Sequence, residues 1–426
     1  MKNIEDDIEL SKDMRFICES VRLFIFNEVT SEERIQEMAL IGIKNLDTGG
    51  IIIHPFSDFI RKYWGKKSFN AQRNRVYHLI AFLNFIGIEY IHIYKIKSFY
   101  EVDIEIGNDF LDHMAKKNSK AAVDGCERTL VYFYKYLADQ NLLTKVDKKL
   151  FNIQGISSRY GRMNKTIMSP FNYTIQPKQS NPEHTMHHIP MELISIFLQV
   201  AIEYTPDIAF GVYTGIFGGL RYSETANTTR SAVTVLGAYG EYGFIIDTLQ
   251  NNLSLDLEVN AAGHVKRERL QMVLPLGKFG AELYKRHLNT YCKDNSNILF
   301  YDKNGNQMTA PTYRRRFNKL KKIFLSLLEK SDVTELQSYA NTLSTKKWST
   351  HIGRGIFSNM VSDSSDNLGQ IALLRGDKTF EAAIKYLSDS APTRKKLEVI
   401  LNSMYKDMGK EEGNWKTVRD YTKQKN

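Results

Sequence analysis

The sequence predicts a mainly α-helical protein with a small β-ribbon and more than one domain. First, a chain of 426 residues is longer than one ordinary hydrophobic core accommodates, so two or three domains are expected. Second, apolar residues recur every three or four positions through most of the chain after residue 56, which is the period of amphipathic helices. Third, apolar and polar residues alternate in the short segment 253–259, which is the period of a strand.

The composition indicates a basic globular protein of a reducing compartment. The 58 Lys and Arg residues exceed the 48 Asp and Glu residues and give a formal charge of +10, which favours a polyanionic partner but also fits a merely basic enzyme. The three cysteines, Cys18, Cys126 and Cys292, form no CxxC pair, so neither a disulfide framework nor a zinc site is predicted. We find no apolar signal core and no apolar run of about 18 residues, and therefore expect a cytoplasmic protein without a membrane span.

The first 55 residues combine short helical patterns with a Gly-Gly turn at Gly49 and Gly50 and the apolar run Ile51–Ile53. Two interpretations stay open. This segment is either an N-terminal arm or a part of the domain that follows.

Residues 56–151 contain two predicted amphipathic helices, each with one buried face. The apolar positions of these helices are Val76, Leu79, Ile80, Leu83 and Ile86, then Leu130, Phe133, Tyr134 and Leu137. Basic residues flank both helices, and the candidates for contact with a phosphate backbone are Lys66, Lys67, Arg73, Arg75, Lys120 and Arg128. The alternative is a small helical bundle whose Lys and Arg side chains are simply solvated.

Residues 152–190 are the best candidate for a linker, because Asn, Ser and Pro replace the apolar periodicity there. Basic residues within it would let an extended segment cross a phosphate backbone, although a plain solvated linker fits equally well: Arg159, Arg162, Lys165 and Lys178. The segment has one acidic residue, Glu183, and no set of carboxylate or Cys ligands beside its histidines, so no metal site is predicted at His184, His187 and His188.

From residue 191 onward the pattern is again mostly helical, with one β interruption. A β-ribbon is predicted from the alternation in 253–259, a turn at 260–263 and a second strand through Leu270, Met272 and Leu274. A further amphipathic helix covers residues 313–328. Its candidates for phosphate contact are Arg314, Arg315 and Arg316.

Three short segments of this region carry side chains that suit one phosphate. The first, GGLRYSE, holds Arg221, whose planar guanidinium can bind two phosphate oxygens at once. The second, THIGRGIFSNMV, places His351 and Arg354 three residues apart and so on one helix face. The third, LLRGDKTFEAAIKYL, places Tyr386 on the flank of an apolar helical stripe. In these motifs and their order the chain resembles the tyrosine recombinases, or phage integrase family, over roughly residues 56–405.

The resemblance implies a helical core-binding, DNA-binding domain at 56–151, a linker at 152–190, a mixed α/β catalytic domain at 191–410 and a C-terminal tail at 411–426. It also implies a mechanism. Tyr386 would attack a phosphodiester and form a 3′-phosphotyrosine, while Arg221 and Arg354 hold the phosphate and His351 assists proton transfer. No metal or other cofactor is implied.

Two site positions leave alternatives open. The catalytic Lys of the family lies in the β-ribbon turn, where GHVKRERLQMVLPLG offers Lys266 as the candidate and His264 and Arg267 as rivals. The family usually carries His or Trp nine residues before the nucleophile, whereas this chain has Asp377. An ionised Asp there would repel a phosphate. Either another group compensates, or the activity is modest or conditional, or Asp377 caps a helix while other residues hold the phosphate.

The function implied is site-specific DNA recombination, as an integrase or transposase of a mobile element. The implied partners are double-stranded DNA with a specific recombination site, other copies of the chain in a tetramer, and in some cases accessory proteins. A second hypothesis is a DNA-binding protein on the same scaffold whose cleavage is lost or restricted. A type IB topoisomerase, which uses similar chemistry without a specific site, is a third.

Overall fold

The structure is a computed structural model that describes residues 13–27, 32–96, 98–157, 163–178, 186, 189–248, 265, 268–293, 295–364, 391–409 and 415–423. The chain divides into two compact units, an N-terminal unit, Met1–Asn181, and a C-terminal unit, Pro182–Asn426. Each unit buries an apolar core of its own.

The N-terminal unit combines an antiparallel sheet with a set of helices. Its elements in chain order are β1 (Met14–Asn27), β2 (Glu32–Asn45), β3 (Ile51–Ile53), α1 (Ser57–Trp64), α2 (Phe69–Asn84), a π-helical turn (Phe85–Glu89), α3 (Ile91–Tyr94), α4 (Ile104–Lys117), α5 (Lys120–Asp139), β4 (Ile153–Ser157) and β5 (Met163–Ile167). Within the first sheet β2 lies between β1 and β3, and all pairings are antiparallel.

The first sheet packs directly on α1 and α2. The backbone N–H of Ile41 donates to the Ser57 hydroxyl at 2.9 Å, and that of Ala39 donates to the Gln72 side-chain oxygen at 3.2 Å. Ala39 and Ile41 are fully buried two residues apart, which is the spacing of one strand face. The helical patterns expected before residue 55 are therefore wrong for the described residues, because this part of the chain buries alternate residues in strands.

The two predicted helices of the N-terminal unit are confirmed as α2 and α5. The positions of their predicted apolar stripes with at most 1% exposure are Val76, Leu79, Leu83, Ile86, Leu130, Phe133, Tyr134 and Leu137. Of the predicted positions, Ile80 is half-buried, and Ile86 lies in the π-helical turn after α2. These stripes form the centre of the unit's core, as amphipathic periodicity requires.

The predicted linker is partly regular. β4 and β5 pair antiparallel within it, and the segment that follows is fastened to α4. The Asp112 carboxylate accepts hydrogen bonds from the backbone N–H groups of Thr174 at 2.9 Å and Ile175 at 2.6 Å. Residues up to 178 therefore belong to the N-terminal unit, while His184, His187, His188, Arg159 and Arg162 lie outside the described residues. That the remainder links the two units stays a prediction.

The C-terminal unit is mainly helical. Its elements in chain order are α6 (Glu192–Tyr204), α7 (Pro206–Gly218), α8 (Tyr222–Ala226), β6 (Val233–Val235), β7 (Phe244–Asp247), β8 (Leu270–Val273), α9 (Phe279–Tyr291), α10 (Ala310–Glu329), α11 (Thr334–Thr345), α12 (His351–Ser364), α13 (Ala391–Met408) and α14 (Val418–Thr422). β6, β7 and β8 form an antiparallel sheet in that order. β8 confirms the second predicted strand, whereas the first, 253–259, lies outside the described residues.

Helix α7 lies at the centre of this unit because it is apolar on every side. Its buried residues include Ile208, Phe210, Val212, Tyr213 and Phe217. α12 packs against it at backbone distance: a Cβ on Gly353 would lie 2.8 Å from the carbonyl carbon of Gly215. The close approach brings the first turns of α12 beside the end of α7.

The described part of the predicted tail is folded into the same core. Trp415 packs edge-on against Phe279 with 4.9 Å between ring centroids, and Val418 is buried. The predicted fold class, mainly helical with a small β component, is confirmed, and the described residues form three antiparallel sheets where the sequence predicts one ribbon. None of the helices among the described residues is long and apolar enough to span a bilayer.

Candidate active site

Arg221 is placed by a sharp turn between α7 and α8. α7 ends at Gly218, and Gly219 adopts a left-handed backbone with φ of +63°. A Cβ at Gly219 would lie 2.7 Å from the Phe357 ring of α12, so both the backbone conformation and the space favour glycine. Two residues later Arg221 has extended backbone angles and caps the start of α8.

Glu224 holds the Arg221 side chain from within the fold. Glu224 is fully buried, and its carboxylate accepts from the Arg221 backbone N–H at 2.8 Å and from Arg221 Nη1 at 2.7 Å. The Arg221 side chain keeps 19% exposure. Because a guanidinium presents five N–H groups, it can keep this bond and still bind an anion at its exposed side.

A second arginine, Arg269, binds the same carboxylate. Arg269 Nη1 donates to Glu224 Oε1 at 2.7 Å and Nη2 donates to Oε2 at 2.9 Å, a bidentate pair. Burial by itself would raise the pKa of Glu224, but the hydrogen bonds and charge of Arg269, together with those of Arg221, lower it below its ordinary value. Glu224 is therefore ionised at neutral pH and shared between two guanidiniums.

Arg354 comes to the same turn from α12. Its side chain is buried, with a residue exposure of 8%, and Nη1 donates to the backbone carbonyl of Gly219 at 2.8 Å. Since Gly219 precedes Arg221 by two residues, this bond brings the second arginine of the predicted phosphate site to the first. The two are 133 positions apart in sequence, from 221 to 354.

His351 lies one turn before Arg354, at the start of α12, and is exposed. Its ring meets the Tyr222 ring edge-on, with 6.4 Å between centroids. Tyr222 directly follows Arg221. The structure thus brings together three of the predicted site residues, Arg221, His351 and Arg354, around the first residues of α8.

Several predicted site positions lie outside the described residues. These are the candidate lysine and its rivals, the unusual aspartate and the nucleophile, namely Lys266, His264, Arg267, Asp377 and Tyr386. Arg269 immediately precedes β8. Among the described residues after the candidate turn, it is the nearest one with a defined bond to the site.

Arg269 was not among the predicted site residues. The signal for it in sequence is weak: an arginine at the entry of the apolar run LQMVLPL, where a solvated side chain is not expected. Its partner Glu224 is 45 residues away, so only the folded chain shows the pair.

The predicted DNA-contacting residues divide into two groups. Exposed side chains are those of Lys66, Lys67, Lys120, Arg128, Arg314 and Arg315. The others are held by groups of the protein. Arg73 bonds Asn70 at 2.8 Å and lies over the Phe69 ring.

Arg75 and Arg316 are held most firmly within the protein. Arg75 Nη1 donates to the Gly125 carbonyl and the Thr129 hydroxyl, both at 2.9 Å, and burial is the main cause of its lowered pKa. Arg316 forms an ion pair with Asp207, with Nε 2.6 Å from Oδ2. These internal bonds favour a structural role for both side chains over the predicted phosphate contact.

Comparison with solved structures finds a site-specific recombinase and integrases at low identity. A structure of the Tn1549 transposon integrase with circular intermediate DNA has a TM-score of 0.48 at 13% identity, covering 77% of this chain and 94% of that one. The XerH site-specific recombinase bound to difH substrate has a TM-score of 0.45 at 15% identity, with 76% and 80% covered. The integrase from mycobacterium phage Brujita has a TM-score of 0.31 at 11% identity, with 82% and 95% covered. No protein-family model and no curated protein sequence matches the chain.

Proposed function

We propose that this protein is a tyrosine-type site-specific DNA recombinase, an integrase or transposase of a mobile element, that cuts and rejoins DNA through a 3′-phosphotyrosine. The observation that supports this best is the bond from Arg354 Nη1 to the Gly219 carbonyl, which brings a second guanidinium to the turn that bears Arg221. Two guanidiniums brought to one turn offer planar sets of N–H donors that match the oxygens of a phosphodiester, which a single Lys ammonium cannot do.

In this proposal the two arginines stabilise the charge that builds on the phosphate as it becomes five-coordinate. Arg221 is fixed by Glu224 and Arg354 by Gly219, so neither has to reorganise when the reaction begins. Preorganised donors of this kind are each worth about 3 to 4 kcal/mol of transition-state stabilisation.

The nucleophile in the proposal is the hydroxyl oxygen of Tyr386. It forms a bond to phosphorus while the bond from phosphorus to the 5′ oxygen breaks. The phenolic proton passes to a base, a role that suits His351, and Lys266 protonates the departing 5′ oxygen. A second strand's 5′-hydroxyl then reverses the step, so the bond energy is conserved and no ATP is consumed.

Asp377 favours one other candidate function. An ionised carboxylate at the position where the family carries His or Trp would repel the phosphate, which suits a DNA-binding protein with lost or restricted cleavage. We favour the recombinase, with Asp377 acting as a helix cap, because the chain has the two arginines that would hold the phosphate and the histidine that would assist proton transfer: Arg221, Arg354 and His351.

A suicide-substrate assay separates the candidates. The substrate is duplex DNA from the region flanking the gene, where attachment repeats would lie, nicked beside each trial cleavage position so that the short 5′-hydroxyl fragment diffuses away. A recombinase traps a covalent adduct with the native chain and with Tyr239→Phe, which alters a 76% exposed tyrosine of the same unit, but not with Tyr386→Phe.

The other outcomes point elsewhere. Binding without any adduct would favour the restricted DNA-binding protein. An adduct of undiminished yield with Tyr386→Phe would contradict the assigned nucleophile. Relaxation of any supercoiled plasmid, without a preferred site, would favour a type IB topoisomerase.

A further inference from the structure

The cluster of Arg221 with the buried Glu224 and Arg269 contains more positive than negative charge. Glu224 Oε1 accepts from both arginines, at 2.7 Å each, and Oε2 accepts from Arg269 Nη2 and from the Arg221 backbone N–H. The three side chains together carry a net charge of about +1 when all are ionised. Arg221 has the most exposed side chain of the three, at 19% against 6% for Arg269.

Arg269 is itself fixed by further bonds. Its Nε donates to the Gln271 side-chain oxygen at 2.9 Å, and its residue exposure is 8%. Its backbone N–H donates to the Thr248 hydroxyl at 2.6 Å, while its carbonyl accepts from the Thr248 backbone N–H at 2.8 Å. The Arg269 guanidinium therefore binds Glu224 from a backbone position that hydrogen bonds fix immediately before β8.

The consequence for Arg221 is electrostatic. A buried carboxylate with a single guanidinium partner would draw that guanidinium into a closed ion pair and neutralise it. Here Arg269 already compensates the carboxylate through two parallel bonds, so Glu224 can orient Arg221 without cancelling its charge.

We propose that Arg269 is a positioning residue: by holding Glu224 from the far side, it keeps Arg221 both oriented and positively charged toward the scissile phosphate. This inference rests on the proposed function, since it assigns the anion bound by Arg221. Arg269 touches neither the DNA nor the reacting atoms in this account. Its contribution passes through Glu224.

The test compares a normal scissile phosphate with a methylphosphonate, which lacks the negative charge that Arg221 recognises. We expect Arg269→Gln to slow cleavage of the phosphate substrate at least about tenfold, a part of the roughly 100-fold that loss of a direct donor costs. On the methylphosphonate the same variant should lie within about threefold of the native chain, because the charge of Arg221 no longer matters there. On the phosphate substrate, the cleavage rate of Arg269→Lys should lie between the rates of the native chain and of Arg269→Gln.

A double variant tests the route through Glu224. Arg269→Gln leaves the buried carboxylate with Arg221 alone, whereas Arg269→Gln combined with Glu224→Gln removes that carboxylate charge. The double variant should therefore cleave phosphate faster than Arg269→Gln does, a coupling that a double-mutant cycle measures. Arg230→Lys is the matched control, since Arg230 is a part-buried arginine of the same unit that bonds the carbonyls of Lys293 and Ser296.

Two results would overturn the inference. One is an Arg269→Gln variant that is equally slow on both substrates, which would indicate a purely structural role. The other is an Arg269→Gln variant that keeps the native rate on phosphate.

Failure of the proposed function gives a different pattern, namely no adduct with the native chain on either substrate. In that case competition binding still decides the role of Arg269. The native chain should prefer DNA with the phosphate over DNA with the methylphosphonate, and Arg269→Gln should lose that preference. A preference that persists in the variant would refute the role.

Discussion

Replacing Arg354 by Lys should disable DNA cleavage while leaving the fold and the affinity for DNA nearly intact. The buried guanidinium of Arg354 donates to the Gly219 carbonyl at 2.8 Å, and in the proposed mechanism it also binds the phosphate. A guanidinium makes both contacts because its donors are spread over three nitrogens in one plane. A Lys ammonium carries its three donors on one nitrogen and cannot reproduce that fork.

The magnitude follows from the contact that is lost. Removal of one preorganised donor costs about 3 kcal/mol in the transition state, which is roughly a 100-fold lower rate. Loss of the hydrogen bond to Gly219 adds only about 1 kcal/mol to the cost, and that part falls on folding stability. The charge is kept, so the attraction to the DNA backbone as a whole changes little.

The assay is single-turnover cleavage of the nicked duplex with protein in excess, alongside thermal unfolding and binding measurements. We predict a rate about 100-fold lower, with a melting temperature within a few degrees of the native chain. A rate within about threefold of the native chain would refute the assignment of Arg354 to the phosphate. A rate loss that accompanies an equal loss of folded protein would refute it as well.

Three further predictions concern charge. Because the pKa of Glu224 is lowered in the fold, its ionisation stabilises the protein above the ordinary pKa of 4.5, and this stabilisation is lost as the pH falls through the lowered value. Glu224→Gln should therefore be less stable than the native chain at pH 7, as measured by denaturant unfolding. The difference in stability should shrink below pH 4.5. If Lys266 protonates the leaving oxygen, Lys266→Ala should cleave poorly but recover on a substrate with sulfur at the 5′ bridging position, and a native rate would instead favour His264 or Arg267. Arg128→Ala should reduce the magnitude of the slope of log binding constant against log salt concentration by about one, because an exposed phosphate contact is lost. Arg75→Ala should lower the melting temperature and leave that slope unchanged, because Arg75 is held inside the protein. The opposite result for the two variants would contradict these roles.

Local periodicity predicts the helices of this protein well. The stripes through Val76 and Leu130 are buried as expected, because an amphipathic helix needs only one apolar neighbour to be stable. The H-x-x-R spacing likewise places His351 and Arg354 on one face of α12, since three residues are close to one helical turn.

Features that depend on distant partners are less accessible to sequence. The strands β1 and β2 include polar residues such as Glu19 and Ser20 among apolar ones, so their pattern resembles short helices until the pairing partner is known. The internal bonds of Arg75 and Arg316 depend on Thr129 and Asp207, 54 and 109 residues away. A basic residue near a predicted interface is equally suited to DNA and to such a partner.

The measurement that tests the central claim most directly is identification of the residue that becomes linked to DNA. The native chain is trapped on the nicked duplex and digested with protease and nuclease, and the modified peptide is sequenced by mass spectrometry. The proposed mechanism predicts a nucleotide attached through its 3′-phosphate to Tyr386. Attachment at another residue, or through a 5′-phosphate, would contradict the mechanism.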